Sequence, residues 1–326
     1  MRLVSLLASA TEMLAELDAL AQLVGRSHEC DYPAAVTSLP VVSTVEINTG
    51  VSSAQIDAQI KQLASARLSS ENTALRALSI YALDLTLLQQ LHPDVIFTQT
   101  QCEVCAVSEK DVTRAIAQLT GFQPRIVALA PHRLTDVWED VLRVGEAIGR
   151  LEQAQQLVAS YQQRLETLRE QCNVLAGTQK PRVAVLEWLD PLMGAGNWTP
   201  ELVSCAGGEP LFGEIGQHTP WLSWETLQDA DPAVIILAPC GFDLARTIQE
   251  LPALRQHPAW QNLRAVRTQR VYAIDGNAYL NRSGPRLVES AELLAYALWG
   301  DHLGRDVDRQ AVVPCSMPVS QKTSEL

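Results

Sequence analysis

What the sequence lacks already excludes several classes of protein. No stretch of its 326 residues reaches the ~18 consecutive apolar residues of a membrane span, so we expect no membrane insertion. Basic residues are scarce, because 25 Lys and Arg stand against 37 Asp and Glu, which gives a formal net charge of −12. Nucleic acids and anionic membranes are bound through a basic face, so neither is expected as a partner.

The N-terminus lacks the features of an export signal. The apolar stretch within Met1–Leu7 is short and runs directly into Ala8–Glu12, which is typical of a first strand entering a helix. The seven cysteines are an odd number, unlike the paired framework of a small secreted protein. Both observations predict a cytoplasmic protein. A translation start upstream of Met1 would instead indicate a periplasmic one.

The longest regular pattern is helical and covers residues 134–172. Its apolar residues recur at spacings of three and four, and no proline interrupts them. We expect one long rigid helix that joins two lobes with a binding cleft between them. The predicted domains are an N-terminal α/β lobe at 1–133, the connecting helix at 134–172, a C-terminal α/β lobe at 173–300 and a disordered tail at 301–326.

Short apolar runs alternate with helical patterns on both sides of this helix. Such alternation predicts the α/β class, with two Rossmann-like lobes that each contain a mostly parallel sheet. The strands predicted in the first lobe are 2–7, 22–26, 41–44, 94–98 and 125–129, with helices near 9–19, 53–66, 82–91 and 109–119. Those predicted in the second lobe are 182–187, 233–237 and 270–274, with helices near 198–206, 222–230, 252–263 and 284–299.

Polar and aromatic residues cluster directly after predicted strands, where open α/β sheets bind their ligands. Two of these clusters fall in each lobe. They are His28–Pro33, Gln99–Cys105, Glu187 and Trp188 with Gly194–Trp198, and Asn277–Arg282.

Short motifs in a fixed order along residues 2–300 point to a family. They are Leu6–Glu12, Cys30–Pro33, Leu91–Ile96, Ala206–Glu209, Pro220-Trp221 and Arg282–Arg286. Together they resemble the vitamin B12 and iron-siderophore substrate-binding proteins of ABC uptake systems, most closely the cobalamin-binding branch. The resemblance implies two lobes bridged by one long helix, a ligand held in the cleft by aromatic side chains, and binding without catalysis.

Aromatic residues of the clusters suit a flat ligand. Trp188, Trp198, Trp221 and Tyr279 fall in loops or at helix starts, where an aromatic face can stack on a macrocycle. For Trp198 and Trp221, an equally good interpretation is that they close the tops of helices as core residues. We expect the ligand to be cobalamin or a related corrinoid, with an iron chelate as the next choice.

Polar residues of the clusters suit the edge of such a ligand. Arg282 and Asn277 are suited to hydrogen-bond peripheral amide or carboxylate groups. The other predicted ligand contacts are His28, Cys30, Tyr32, Gln101, Cys102 and Glu187.

A group of thiols departs from the aromatic pattern that the family implies. Cys30, Cys102 and Cys105 with His28 would suit a tetrahedral Zn²⁺ site, and one thiolate or imidazole would suit the cobalt or iron of a macrocycle. A Cys-x-x-Cys pair at a helix start is also typical of a redox dithiol. In a purely structural role, Cys105 would pack under the helix near 109–119. The alternative is therefore a protein whose function depends on these thiols or on Zn or Fe bound at this cluster. An enzyme is one form that this alternative can take.

Other signatures of catalysis are missing from the sequence. Gly194–Trp198 lacks the third glycine of a dinucleotide-binding turn and the Lys and Ser or Thr of a phosphate-binding loop. We interpret it as a loop that lets the backbone approach the ligand. We therefore expect a monomeric, non-enzymatic binding protein that serves either the uptake or the intracellular handling of its ligand. The resemblance further implies an ABC permease as a partner, docked through one acidic residue on each lobe, here Asp84 and Glu225.

Overall fold

A computed structural model of the chain describes residues 1–45, 47–68, 81–100, 113 and 123–315. The chain forms two compact units, residues 1–161 and 162–326, and each contains its own largely parallel sheet with helices. The predicted α/β class with two lobes is confirmed. Within the described ranges, no helix combines the length and the apolarity needed to cross a membrane.

The first unit is built on a parallel sheet. Its strands are β1 (Leu3–Ser5), β2 (Leu23–Arg26), β3 (Ser43–Val45), β4 (Tyr81–Leu83), β5 (Val95–Gln99) and β6 (Arg125–Leu129), and its first helices are α1 (Ala8–Glu16), α2 (Ser53–Leu68) and α3 (Leu85–Leu91). Four strands form the sheet in the order β2-β1-β5-β6, with every neighbouring pair parallel. β3 and β4 form a separate antiparallel pair. β1 and β5 are buried along their whole length, as parallel strands covered on both faces should be.

Two helices replace the single helix predicted over residues 134–172. They are α4 (Leu134–Ala147) and α5 (Leu151–Ala176). The prediction of an uninterrupted helix is wrong because Gly149 adopts the left-handed conformation, with φ of +73°, and ends α4. The Arg150 backbone N–H then donates to the Gly145 carbonyl oxygen at 2.7 Å, which is the bond that closes such a glycine-terminated helix.

The second of these helices is the one that connects the units. α5 has 26 residues, and the boundary between the units falls within it, after Tyr161. Where α5 begins, it packs closely on the end of α4, since a Cβ placed on Gly145 would lie 2.5 Å from the Cβ of Ala154. One long helix therefore joins the units as expected, but it starts 17 residues later than the predicted residue 134.

The second unit contains a sheet of mixed direction. Its strands are β7 (Arg182–Leu189), β8 (Leu192–Gly194), β9 (Glu209–Leu211), β10 (Val234–Leu237), β11 (Val271–Ile274) and β12 (Val312–Pro314), and its helices are α6 (Thr199–Cys205), α7 (Trp224–Ala230), α8 (Leu244–Gln256), α9 (Arg264–Arg267) and α10 (Leu287–Trp299). The order is β12-β11-β10-β7-β8, and β9 also pairs with β7. β7, β9, β10 and β11 are parallel, whereas β8 and β12 run antiparallel to their neighbours.

The C-terminal segment is ordered further than the sequence predicted. β12 pairs with β11, and the Cys315 backbone N–H donates to the Val271 carbonyl oxygen at 2.8 Å. The prediction of a disordered tail is therefore wrong for residues 301–315, because a three-residue strand completes the sheet edge there. Residues 316–326 lie outside the described part of the chain.

Candidate functional site

Three loops of the second unit meet at the carboxyl ends of the parallel strands β7, β10 and β11. The Cys240 backbone N–H donates to the Glu187 carbonyl oxygen at 3.0 Å, and the Asn277 N–H donates to the Phe242 carbonyl oxygen at 3.0 Å. Gly276 allows the third loop to approach, since a Cβ there would lie 2.2 Å from a backbone oxygen of the β10 loop. We predicted binding residues at these strand ends from the sequence. The backbone hydrogen bonds join the three loops into one surface.

A fourth loop, residues 212–222, lies against β8 of the same unit. A Cβ on Gly196 would lie 2.4 Å from the Gln217 carbonyl oxygen, so only glycine fits beneath this loop. The Asn197 N–H donates to that same oxygen at 2.7 Å, and the Gly194 N–H donates to the Pro220 carbonyl oxygen at 3.0 Å. The glycines of Gly194–Trp198 therefore make room for another segment of the chain rather than for a ligand.

The 212–222 loop orients the carboxylate of Glu187. The Thr219 hydroxyl, on a residue only 5% exposed, donates to Glu187 Oε2 at 3.0 Å. Two residues further on, Trp221 is 57% exposed although its backbone bridges to Met193. The same loop thus binds a half-buried carboxylate through Thr219 and carries the exposed indole of Trp221. We call residues 187–188, 219–221, 239–242 and 275–282 the second-unit surface.

Two aromatic rings contact each other next to Glu187 in the chain and in the loop that follows β10. The Trp188 ring centroid lies 5.3 Å from that of Phe242, in a tilted arrangement. The indole N–H of Trp188 donates to the Asp190 carbonyl oxygen at 3.1 Å, which fixes the ring. The Arg246 guanidinium lies 4.6 Å from the Phe242 centroid and forms an ion pair with Glu250 at 2.8 Å. Trp188 is partly exposed, so one aromatic edge of this pair faces outward.

Two predicted contacts of this unit are core residues. Trp198 is 6% exposed, and its indole N–H donates to the Leu280 carbonyl oxygen at 2.9 Å. It therefore offers no stacking face, because the start of α6 packs it inward. Arg282 is likewise only 6% exposed, and its guanidinium donates to Asn277 Oδ1 at 3.2 Å. Arg282 thus supports Asn277, which is partly exposed, rather than presenting a free fork.

Tyr279 and Asp275 occupy the turn that follows β11. Asp275 accepts a hydrogen bond from the Ala278 N–H at 2.7 Å and so caps the π-helical turn Gly276–Leu280. Burial raises the pKa of Asp275, and Asp243 adds to this shift while Arg282 opposes it. Burial also raises the pKa of Tyr279, whose ring lies 5.4 Å from the Arg286 guanidinium carbon. Tyr279 is therefore a neutral, partly buried phenol at pH 7.

In the first unit, His28 follows β2 and is held by β3. Its Nδ1 lies 2.9 Å from Ser43 Oγ, and its backbone N–H donates to the same oxygen at 3.3 Å. Burial, helped by the charge of Arg26, lowers the pKa of His28 and keeps its imidazole neutral at pH 7. Nε2 lies 3.9 Å from Glu29 Oε1 on the partly exposed side of the ring. A neutral imidazole with its Nδ1 engaged is oriented for metal ligation through Nε2.

The loop that carries His28 is tied down by Arg26. The guanidinium donates to the carbonyl oxygens of Ser27 at 3.0 Å, Cys30 at 3.1 Å and Thr37 at 2.9 Å. Cys30 is fully buried, and its thiol accepts a hydrogen bond from the Thr11 hydroxyl at 3.0 Å. The expectation that Cys30 contacts a ligand is not met in this arrangement, because its side chain points into the core. Tyr32 is 47% exposed on the same loop.

A buried acid lies behind the loop that follows β6. Asp140, on α4, forms an ion pair with Arg143 and a hydrogen bond with the backbone of Ala130. Its Oδ2 is buried without a hydrogen-bond partner in the described part of the chain. Burial outweighs the charge of Arg143 and raises the pKa of Asp140 to about 7, and the charges of Asp136 and Glu139 contribute in the same direction.

The remaining predicted residues, Gln101, Cys102 and Cys105, lie outside the described residues. Of the thiol cluster, the structure therefore places only the half-buried His28 and the buried Cys30. Among the residues that it does describe, no group of three His, Cys, Asp or Glu side chains could hold a metal ion.

The sequence analysis did not predict Phe242 and Thr219 as residues of the candidate site. Phe242 lies in a loop that follows β10, so the same strand-end rule would have found it. Thr219 carried no local signal, because its partner Glu187 lies 32 residues away in the chain.

Comparison with known proteins identifies a family that covers most of the chain and a curated relative that covers about half of it. Residues 3–278 match the family described as periplasmic binding protein. A substrate-binding lipoprotein of an ABC transporter, the uncharacterized YvrC of Bacillus subtilis (strain 168), is 25% identical over 170 residues. That match covers 51% of this chain and 51% of YvrC, so it spans about half the length of the curated relative.

Solved structures of similar fold match almost the full chain. A periplasmic heme-binding protein from Pseudomonas aeruginosa is 18% identical, with a TM-score of 0.70 and 96% of each chain covered. The periplasmic vitamin B12-binding protein BtuF of Vibrio cholerae is 20% identical, with a TM-score of 0.62 and coverage of 94% of this chain and 98% of BtuF. At these identities the two structures show a shared fold.

Proposed function

Because the chain belongs to the periplasmic binding protein family, we propose that it is the substrate-binding component of an ABC importer and that its ligand is a cobalamin-like corrinoid. Binding without catalysis is part of this proposal. The relatives named above are a heme binder, a vitamin B12 binder and a transporter lipoprotein, which supports a metal-containing macrocycle as the ligand class.

The observation that carries the proposal is the composition of the second-unit surface. It combines an exposed indole, Trp221, and a partly exposed one, Trp188, with the oriented carboxylate of Glu187. Aromatic faces bury large areas against a flat macrocycle, and a carboxylate accepts hydrogen bonds from peripheral amides. A corrin ring offers both groups, because it is a macrocycle that carries amide side chains.

His28 supports a ligand that contains a metal. Burial and the charge of Arg26 lower its pKa and favour the neutral ring, and the Ser43 hydroxyl engages Nδ1, so a metal would be bound through Nε2. For the first unit taken by itself, we therefore propose His28 as the residue that would ligate a corrinoid cobalt. The alternative, a thiol- or metal-dependent protein that uses the Cys30 cluster, gains less support because the Cys30 thiol is buried against Thr11.

The location and the permease partner are part of the same proposal. The named relatives are periplasmic proteins and a lipoprotein, which supports export rather than the cytoplasmic location expected from the N-terminus. Docking through Glu225 and Asp84 stays a prediction. Glu225 is exposed in the first turn of α7, whereas Asp84 caps α3 by accepting a hydrogen bond from the Leu87 N–H at 2.9 Å.

A titration of tryptophan fluorescence tests the ligand. Purified protein is mixed with cyanocobalamin, haem and a ferric hydroxamate siderophore in separate titrations, and we expect cyanocobalamin to bind with the highest affinity. Trp221→Ala should weaken cyanocobalamin about tenfold through lost stacking and burial. Val174→Ala, which removes another exposed apolar side chain, is the control and should bind like the native chain.

A second titration tests the role of His28. Aquocobalamin exchanges its axial water for imidazole, so the visible band should shift on binding to the native chain. The shift should disappear in His28→Ala and persist in His302→Ala, a control at an exposed histidine. If haem or the siderophore binds and cyanocobalamin does not, the corrinoid assignment is wrong. If none binds at about 100 μM, the whole proposal fails.

A further inference from the structure

Asp275 connects two of the loops that form the second-unit surface. It follows β11, and its Oδ1 accepts the Ala278 N–H at 2.7 Å, within the π-helical turn Gly276–Leu280. The same carboxylate accepts a hydrogen bond from the backbone of Leu244, the first residue of α8. One side chain therefore joins the turn after β11 to the helix after β10.

The bond to Ala278 lies between the two predicted ligand contacts of this turn. Asn277 precedes Ala278 and Tyr279 follows it, and both are partly exposed. The end of the turn has a separate anchor, since Asn281 Nδ2 donates to a carbonyl oxygen of the loop after β10 at 2.8 Å. The orientation of both predicted contacts therefore depends on the carboxylate of Asp275, which holds the middle of the turn.

The carboxylate of Asp275 lies among groups of both charges. Burial raises its pKa above the ordinary value of 3.8, and the charge of Asp243 at the start of α8 adds to this shift. The two backbone N–H donors and the charge of Arg282 oppose the shift. The phenol of Tyr279 also lies near this carboxylate. The other charged groups around that phenol are Arg286, Glu289 and Asp308.

We infer that Asp275 is a positioning residue for the ligand, because its ionised carboxylate holds the turn that carries Asn277 and Tyr279. An ionised carboxylate only accepts hydrogen bonds, which suits two N–H donors. A protonated carboxyl group carries an O–H donor, so one of the two N–H groups would lose its acceptor. The inference rests on the proposed function and adds that acid weakens ligand binding.

The pH dependence of binding tests this role. Equilibrium dialysis between about pH 4 and about pH 7.5 measures the affinity for cyanocobalamin, whose axial positions are filled and whose charge is constant in this range. Binding that needs the ionised carboxylate weakens as the pH falls through the folded-state pKa of Asp275, which is above 3.8. We expect a loss of about tenfold, as for one hydrogen bond to a charged group.

Two substitutions assign the pH dependence to Asp275. Asp275→Asn keeps the size of the side chain but places an NH2 donor where the carboxylate accepts. It should bind about tenfold more weakly at the upper end of the pH range and lose the native pH dependence. Asp243→Asn removes the neighbouring negative charge and keeps a side-chain oxygen that caps α8. It should move the midpoint of the pH profile to lower pH, which a merely structural role of Asp275 would not produce.

Asp136→Asn is the matched control for these variants. Asp136 also accepts two backbone N–H groups, those of His132 at 2.8 Å and Arg133 at 3.0 Å, but it lies in the first unit at the start of α4. This variant should keep the native affinity and the native pH profile. Unfolding midpoints measured at each pH show whether a weaker affinity reflects loss of the fold. If Asp275→Asn does not fold, the native profile and its shift in Asp243→Asn decide the question.

The outcomes separate this inference from the proposed function. If the native chain binds cyanocobalamin equally well throughout the pH range, or if Asp275→Asn keeps the native affinity, the inference is overturned and the proposed function stands. An unchanged midpoint in Asp243→Asn would show that the pH dependence comes from another group, and it would overturn the inference as well. If the native chain does not bind cyanocobalamin at any pH of the range, the proposed function itself fails, and the inference fails with it.

Discussion

Replacing Gly196 with alanine should disturb the second-unit surface by displacing the backbone of the 212–222 loop. The added methyl would lie 2.4 Å from the Gln217 carbonyl oxygen, whereas ordinary contact begins at 3.4 Å. The loop must therefore retreat by about 1 Å, which would lengthen the 2.7 Å bond that the Asn197 N–H donates to this oxygen. Overpacking of this kind costs about 1–3 kcal/mol in the free energy of unfolding.

The same displacement reaches the proposed ligand contacts. The methyl would also lie 3.0 Å from the Thr219 backbone nitrogen, so the hydroxyl that orients Glu187 moves with the loop. In addition to the loss of stability, we expect the affinity for cyanocobalamin to fall about tenfold. Urea unfolding measures the first effect and fluorescence titration the second.

A second glycine provides the control for this experiment. Among the described residues, a Cβ on Gly50 would meet only the Asn48 side-chain oxygen, at 3.3 Å, so Gly50→Ala should leave both measurements near the native values. Native stability and affinity in Gly196→Ala would refute the argument that this glycine is required by the 212–222 loop.

Three further predictions concern stability. The folded-state pKa of Asp140, about 7, is above its ordinary value of 3.8. The free energy of unfolding should therefore fall as the pH rises between these values, by about 4 kcal/mol at most. Asp140→Asn should reduce the difference in unfolding free energy that urea denaturation measures between pH 5 and pH 8. Trp198→Phe leaves the buried Leu280 carbonyl without its donor and should cost about 1–3 kcal/mol in thermal or urea unfolding; an unchanged midpoint would contradict the bond. Asp243→Ala removes the side-chain cap of α8 and should cost about 1 kcal/mol, whereas equal stability would show that the cap contributes nothing.

Periodic elements were predictable from the sequence because their signal is local. The strand predicted at 125–129 is observed as Arg125–Leu129, and the helix predicted near 53–66 is observed as Ser53–Leu68. The break at Gly149 was missed because the turn of three residues leaves the apolar spacing nearly in phase across it. The glycine itself was the available signal, since a left-handed residue at a helix end is most often glycine.

The site was predictable in position but not in the orientation of its side chains. The strand-end rule placed Glu187, Trp188 and Asn277 after neighbouring strands, and backbone hydrogen bonds join the loops there, whereas their contact with a ligand stays a prediction. Whether an aromatic residue faces inward depends on elements that pack on it from elsewhere in the chain. Trp198 and Trp221 both lie near turns, yet the first is buried against Leu280 and the second is exposed.

The strand at the end of the described chain bears on how this protein can be shortened or tagged. Removing β12 would expose the backbone N–H and C=O groups of β11. An exposed edge strand can pair with strands of other molecules. Pro314 lacks a backbone N–H, so the native edge strand β12 offers an incoming strand one hydrogen-bond donor fewer. Truncation before residue 312 should therefore promote aggregation, whereas an affinity tag placed after residue 326 leaves this protection intact.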